Sequence, residues 1–225
     1  MKAGNKKMDT SIRQEKERKI WDRLASGYDA NTGKTYKGAY LESIERTKKL
    51  LDSTDQVLEI GCGTGIIALG IASRCASVTG VDISPVMIEQ ARTKAASENV
   101  QNVTFEVFDG YSLPISDSSF NKVLLFNILY IVKEPHTLLA EARRLLKPGG
   151  LLVTATDCLA EPVNLYSRIV MAYEWVMHKL GIIPFISFYR KMDVENLITE
   201  NGFTVKETAT LHPSPVNYYI MAKKD

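Results

Sequence analysis

The stretch "VLEIGCGTG", Val57 to Gly65, decides how the rest of the chain is read. Val57, Leu58 and Ile60 suit a buried strand, and one acid, Glu59, stands among them. Gly61, Gly63 and Gly65 then follow at every second position. Glycines so placed suit a backbone that turns sharply and lies very close to something. A tight turn alone would need one of them. Their alternation, after a buried strand and at the start of a helix, points to a nucleotide-like ligand. The spacing is G-x-G-x-G, and Ile66 stands where the dinucleotide fingerprint needs its third glycine. The ligand is therefore expected to lack a pyrophosphate, which weakens a nicotinamide-dependent dehydrogenase as a reading.

Outward from this loop, strands alternate with helices. Strands are expected at 56–60, 77–83, 103–109, 122–127 and 151–157. Helices are expected at 64–75, after the Ser84 cap with Pro85 at its first position, and at 134–147, stopped by "KPGG". That alternation means βαβ crossovers and a parallel sheet covered on both faces. Upstream, Ser11 and Gln14 have capping-box spacing for a helix whose apolar stripe is Ile20, Trp21, Leu24, Ala25 and Tyr28. "NTG" at 31–33 is expected to break it before a second helix with Tyr40, Leu41, Ile44 and Leu51 on one face. Downstream come a long helix at about 161–181, a helix at 192–201, and the strands "TVKETATL" and "VNYYIMAK". Only "HPSP" separates those strands, so they are expected to pair as an antiparallel hairpin.

The chain has 225 residues, enough for one sizeable core. Its net charge of +2 carries no basic footprint of the kind nucleic acid requires. Cys62, Cys75 and Cys158 have no metal-type spacing and read as reduced thiols, so a cytoplasmic location is expected. The N-terminal segment is basic without an apolar core, unlike a signal peptide. The most apolar region, 165–188, is interrupted by Arg168, Glu174, His178 and Lys179 and is not expected to span a membrane.

Two acids complete the ligand reading. Asp82 ends the second strand, 21 residues beyond Gly61, where a carboxylate can accept hydrogen bonds from both ribose hydroxyls. Asp109 ends the third strand and can accept from an adenine amino group, with the Gly110 backbone close to the ring. "VLEIGCGTG", "VTGVDIS", "FEVFDG", "FNKVLLFNILYIV" and "LLKPGG" resemble, in order and spacing, the successive motifs of class I S-adenosylmethionine-dependent methyltransferases. "WDRLASGYD" at 21–29 resembles the N-terminal segment of small-molecule members, including the ubiquinone/menaquinone-biosynthesis and phospholipid types.

The resemblance implies a doubly wound, Rossmann-like α/β sheet of seven strands in the order 3-2-1-4-5-7-6, with strand 7 antiparallel. It implies S-adenosylmethionine as cofactor. Gly61, Cys62, Gly63 and Gly65 would lie along its methionine part, with Glu59 supporting the loop. Asp82 would bind the ribose, Ile83 pack on the adenine, and Asp109 and Gly110 hold the adenine edge. Phe126 would offer its carbonyl to the ammonium, and Tyr28 would approach the carboxylate. Where some members carry Leu-His-His after strand 4, this chain has Leu129, Tyr130 and Ile131.

Methyl transfer from a sulfonium needs alignment and exclusion of water more than it needs a catalytic triad. Candidates for a base are Tyr130 after strand 4, His136 at the start of a helix, and His178 on the long apolar helix. No metal is expected. The whole chain reads as one methyltransferase domain, with cap helices at about 11–51 and a lid-like insert at about 160–190. In that insert Leu165, Tyr166, Ile169, Val170, Tyr173, Val176, Met177 and Leu180 form an apolar stripe expected to line an acceptor pocket. Peripheral contact with a membrane surface stays open. The expected acceptor is a small apolar or amphiphilic molecule and not nucleic acid. The alternatives are a nucleic-acid or protein methyltransferase, or a cofactor-binding protein without turnover.

Overall fold

The computed structural model describes residues 14–161, 164–180, 182–183 and 185–225. The capping pair at Ser11 lies outside the described residues. Helix α1 covers 14–24, and a 3-10 turn, Ala25–Gly27, leads into α2, Tyr28–Thr35, and α3, Lys37–Lys49. Then come β1 (Gln56–Ile60), α4 (Ile66–Ile71), β2 (Ser77–Asp82), α5 (Pro85–Ser97), β3 (Val103–Val107) and β4 (Phe120–Phe126). The chain continues through α6 (Pro135–Leu145), β5 (Leu146–Cys158), α7 (Leu165–Lys179), α8 (Lys191–Glu200), β6 (Phe203–Pro213) and β7 (Val216–Lys224).

The seven strands form one sheet in the order β3-β2-β1-β4-β5-β7-β6. All neighbours from β3 to β5 pair in parallel, whereas β7 runs antiparallel to both β5 and β6. This is the strand order the resemblance implies, with the expected terminal hairpin as β7-β6. Alternate residues of each strand bury on opposite faces, as the pleat requires. On one face Val57, Val78, Leu124 and Val153 pack against Ile44 of α3, Ile67 and Ile71 of α4, and Ile88 and Ala91 of α5. On the other, Leu58, Val123, Leu125 and Leu152 pack against Leu138 and Leu139 of α6 and Val194 and Ile198 of α8. Ser84 caps α5 as expected, its Oγ accepting the Met87 N–H at 3.1 Å.

Three local expectations are corrected. "NTG" does not break a helix: α2 runs through it, and the interruption falls earlier, at Ala25–Gly27. Tertiary contacts override the weak propensity there, because Asp29 of α2 accepts from Thr64 Oγ1 at 2.5 Å and pairs with Lys94. Leu41 faces solvent, and Leu51, though buried, lies beyond the end of α3. The stripe on α7 divides between two faces: Leu165, Ile169, Tyr173, Val176 and Leu180 are 45–71% exposed, whereas its Val170 and Met177 lie inward. The inward face of α7 carries Val170, Met171, Glu174, Met177 and His178, each partly buried and at helical spacing.

Candidate active site

In a doubly wound sheet, ligands sit beyond the carboxyl ends of the strands. A cavity of about 220 Å³ lies there, and successive strand ends build it. Ile60 and Gly61 come from β1, Asp82 and Ile83 from β2, Phe108 and Asp109 follow β3, Phe126 and Asn127 end β4, and Asp157 lies near the end of β5. Glu17 and Trp21 of α1, with Tyr28 and Thr32 of α2 and Tyr40 of α3, line it as well. Of the residues expected to hold a cofactor, Tyr28, Gly61, Gly63, Asp82, Ile83, Asp109 and Phe126 line this one cavity.

Asp82 ties the two ends of the motif together. Its Oδ2 accepts the Gly63 N–H at 2.9 Å, and its Oδ1 accepts the Ser84 N–H at 2.9 Å. Each oxygen keeps a further lone pair for a ligand hydroxyl. Burial pushes its pKa up, Asp22 adds to this, and the backbone N–H donors oppose it. Asp109 accepts the Tyr111 N–H at 3.0 Å through Oδ1, and Oδ2 accepts from the Gln14 carboxamide of α1. An amide donor from the protein thus already occupies part of the acid expected at the adenine edge.

The remaining expected residues stand behind the wall. Glu59 and Cys62, with Thr64, Ile66 and Ile67, surround a small side pocket next to Tyr28, Tyr40 and Gly61. Glu59 is buried, its Oε2 has no partner, and burial pushes its pKa up to about 8. Burial likewise raises the Cys62 thiol far above its usual range, so it is no nucleophile near neutrality. Gly65 is a packing glycine: a Cβ there would stand 2.8 Å from Phe105 Cζ and 3.2 Å from Ala91 Cβ. Gly110 is another, with Ile60 Cγ2 at 2.5 Å from such a Cβ. Gly63 differs, since at φ +52° its open side meets only Tyr28 Cε1, at 3.8 Å, and it lines the cavity.

Of the three candidate bases, only Tyr130 lines the cavity. His136 is exposed, with Nδ1 3.0 Å from the Asn201 amide of α8. His178 packs edge-on against Phe185 and is not among the lining residues. The feature that motif reading missed is Asp157. It is 6% exposed, accepts from Asn217 Nδ2 at 2.7 Å, and has the Tyr130 and Tyr36 side chains near enough to favour its ionised form. Asn217 Nδ2 also donates to Asn127 Oδ1 at 2.8 Å; Asn127 lies near the Tyr40 hydroxyl, which is 3.2 Å from that of Tyr28. A continuous polar chain therefore runs from Tyr28, beside the glycine loop, to Asp157. A signal for Asp157 was present: it follows the strand "LLVTAT" as Asp82 closes "SVTGV".

These residues fit a cofactor with a cationic methionine end and a nucleoside end. The orphaned, buried Glu59 oxygen would gain from a nearby positive charge, and Gly63 leaves its open side toward the cavity. Among the described residues, no cluster suited to a metal ion is present.

Residues 58–154 match the family described as a methyltransferase domain. The chain is 36% identical over 141 residues to a demethylmenaquinone methyltransferase of Tropheryma whipplei, an alignment covering 60% of this chain and 56% of that protein. It is 28% identical over 162 residues to a ubiquinone biosynthesis O-methyltransferase of Acinetobacter baumannii, covering 72% of this chain and 68% of the relative. A solved SAM-dependent methyltransferase of Methanosarcina mazei is 25% identical, with a TM-score of 0.66 over 79% of this chain and 96% of that one. The chain thus spans a little over half the length of the first of these relatives. With this strand order, this glycine loop and these likenesses, the chain is similar to class I S-adenosylmethionine-dependent methyltransferases, and its residues 58–154 carry the match to the methyltransferase-domain family.

Proposed function

We propose that the protein transfers the methyl group of S-adenosylmethionine to a small molecule with an apolar body. One observation carries this reading: a single cavity joins the glycine loop, Asp82 and Asp109 to an aromatic and aliphatic chamber that ends at Asp157. In the proposed roles, Asp82 binds the ribose, Ile83 packs on the adenine, and Asp109 holds its edge. Gly61, Gly63 and the Phe126 carbonyl flank the methionine part. When bound, the cofactor supplies an electrophilic methyl group already activated by the sulfonium charge. The chain's own work is to orient the acceptor and keep water out.

The chamber supports a small acceptor over a nucleic acid. Its ionisable lining residues are Glu17, Asp82, Asp109, Asp157 and tyrosines, with no lysine or arginine among the described ones. A phosphate backbone would meet acids there instead of the cations it needs. The names of the two quinone-pathway relatives agree with a small-molecule acceptor. No described helix is long and apolar enough to cross a membrane.

Titration calorimetry with S-adenosylmethionine, S-adenosylhomocysteine and NAD tests the cofactor half. The first two should bind and NAD should not. Mass detection of methylated product from a panel of phenols, amines and thiols then tests turnover. Binding without any methylated product would leave a cofactor-binding protein in place of an enzyme.

A further inference from the structure

We propose that Asp157 takes the proton from the methyl acceptor, and that the acceptor presents to it a hydroxyl borne on an apolar ring. This rests on the methyl-transfer reading above and names its substrate class. The position comes first. Asp157 lies near the end of β5, three strands along the sheet from Asp82 on β2, roughly 14 Å at the usual strand spacing. The glycine loop after β1 lies between them, so Asp157 faces the part of the cavity that a nucleoside bound at Asp82 leaves open.

The donor count selects the partner. An ionised carboxylate offers about four lone-pair sites. Asn217 Nδ2 fills one at 2.7 Å, and the Tyr130 and Tyr36 side chains nearby favour the ionised form. One further single donor is accommodated, which a hydroxyl supplies. Ile128, Ile131 and Val132 line the same cavity and offer no hydrogen-bond acceptor of their own. Those side chains and Phe126 instead suit the face and edges of a ring.

The groups facing Asp157 also set its basicity. Burial pushes its pKa up to about 6, while Asn217 of β7, His212 of β6 and the Tyr130 and Tyr36 hydroxyls hold it from rising further. From α7, Glu174 stands close enough for mutual repulsion, and its own pKa is pushed up to about 7 by burial and by Asp157. Asp157 in turn raises the Tyr40 hydroxyl of α3. The result is a carboxylate ionised at neutral pH and more basic than a free aspartate. In the transfer, the hydroxyl proton passes to the Asp157 carboxylate. The freed oxygen electron pair forms the bond to the methyl carbon, the carbon–sulfur bond breaks, and its pair stays on sulfur.

Catechol and nitrocatechol serve as probes, with variants Asp157→Asn and Tyr130→Phe. Calorimetric binding of catechol, in the presence of S-adenosylhomocysteine, should weaken as pH falls through about 6, and Asp157→Asn should abolish that dependence. The same variant should slow catechol methylation about 10²–10⁴-fold. Nitrocatechol, which ionises unaided near neutrality, should lose less than about tenfold by the same Brønsted argument. Tyr130→Phe removes one donor and should move the acid limb of kcat/KM to higher pH, which keeps the idea testable if Asp157→Asn does not fold. Both variants should bind S-adenosylhomocysteine normally. Equal losses for the two catechols, a pH dependence unmoved by either variant, absence of catechol binding, or methylation of tryptamine in place of catechols overturns the inference and leaves methyl transfer standing. Failure of the wild-type protein to bind the cofactor overturns the underlying reading itself.

Discussion

Asp82 and Gly63 are joined by a 2.9 Å hydrogen bond, so the acid that ends β2 holds the backbone of the loop that follows β1. Any ligand gripping Asp82 also feels the shape of that loop. Asp82→Ala is therefore expected to weaken S-adenosylmethionine binding by about 1.5–3 kcal/mol, the range for charge-assisted hydrogen bonds. Calorimetry of the variant, alongside Asp82→Asn, measures this. Unchanged affinity in both would remove Asp82 from the site.

Gly63 and Gly65 should respond differently to alanine. At Gly63 a methyl group meets only the Tyr28 ring edge at 3.8 Å. Gly63→Ala should cost about 1–2 kcal/mol for its left-handed backbone and should weaken cofactor binding on the cavity side. Gly65→Ala forces its Cβ to 2.8 Å from Phe105, adding about 1–3 kcal/mol of overpacking to the same backbone cost. Chemical denaturation and calorimetry on the pair separate a ligand-facing glycine from a packing one. A Gly63→Ala protein with normal affinity would place the ligand elsewhere.

Glu59 predicts a pH dependence of stability. Burial raises its folded pKa to about 8, above the ordinary carboxylate value. The folded state thus holds the proton more tightly, and stability falls as pH rises from the ordinary range through about 8. Glu59→Gln should flatten that slope and stabilise the cofactor-free protein at alkaline pH, by an amount on the order of a few kcal/mol. Melting temperatures across that range, for both proteins, decide it. Parallel curves would mean that Glu59 finds a partner in solution.

The outward face of α7 gives a prediction about packing. Ile169 and Tyr173 are each 59% exposed. Ile169→Asp and Tyr173→Asp should change stability by no more than about 0.5 kcal/mol, as exposed positions do. They should also leave cofactor binding untouched. A large loss of stability in dilute solution would show that another surface covers this stripe.

The elements and half the site were legible because their signals are local. The glycine spacing, the Ser84-Pro85 cap and the four residues between the last strands act within a few positions of themselves. The Asp157 cluster is different. Tyr36, Tyr130 and Asn217 come together only because the α2–α3 junction, the loop after β4, and β7 converge on the end of β5, and no spacing announces that. The orientation of α7 was misread for a related reason. Apolar residues occur on both of its sides, and the buried side carries Glu174 and His178, the polar residues ordinarily assigned to solvent. "NTG" failed as a breaker because Asp29, two residues before Asn31, is clamped to Thr64 and Lys94.

The chain of side chains from Tyr28 through Tyr40, Asn127 and Asn217 to Asp157 has a directional consequence. Its tyrosine hydroxyls can each reverse between giving and receiving a proton, and reversing one constrains its neighbour. A group that accepts from Tyr28 fixes the sense of the Tyr28–Tyr40 link, while the Asn217 amide donates in one sense only, to Asn127 Oδ1 and to Asp157. The first occupant to arrive thereby writes part of the hydrogen-bond grammar that the second must obey. By reciprocity, the second adjusts the affinity of the first by the same factor.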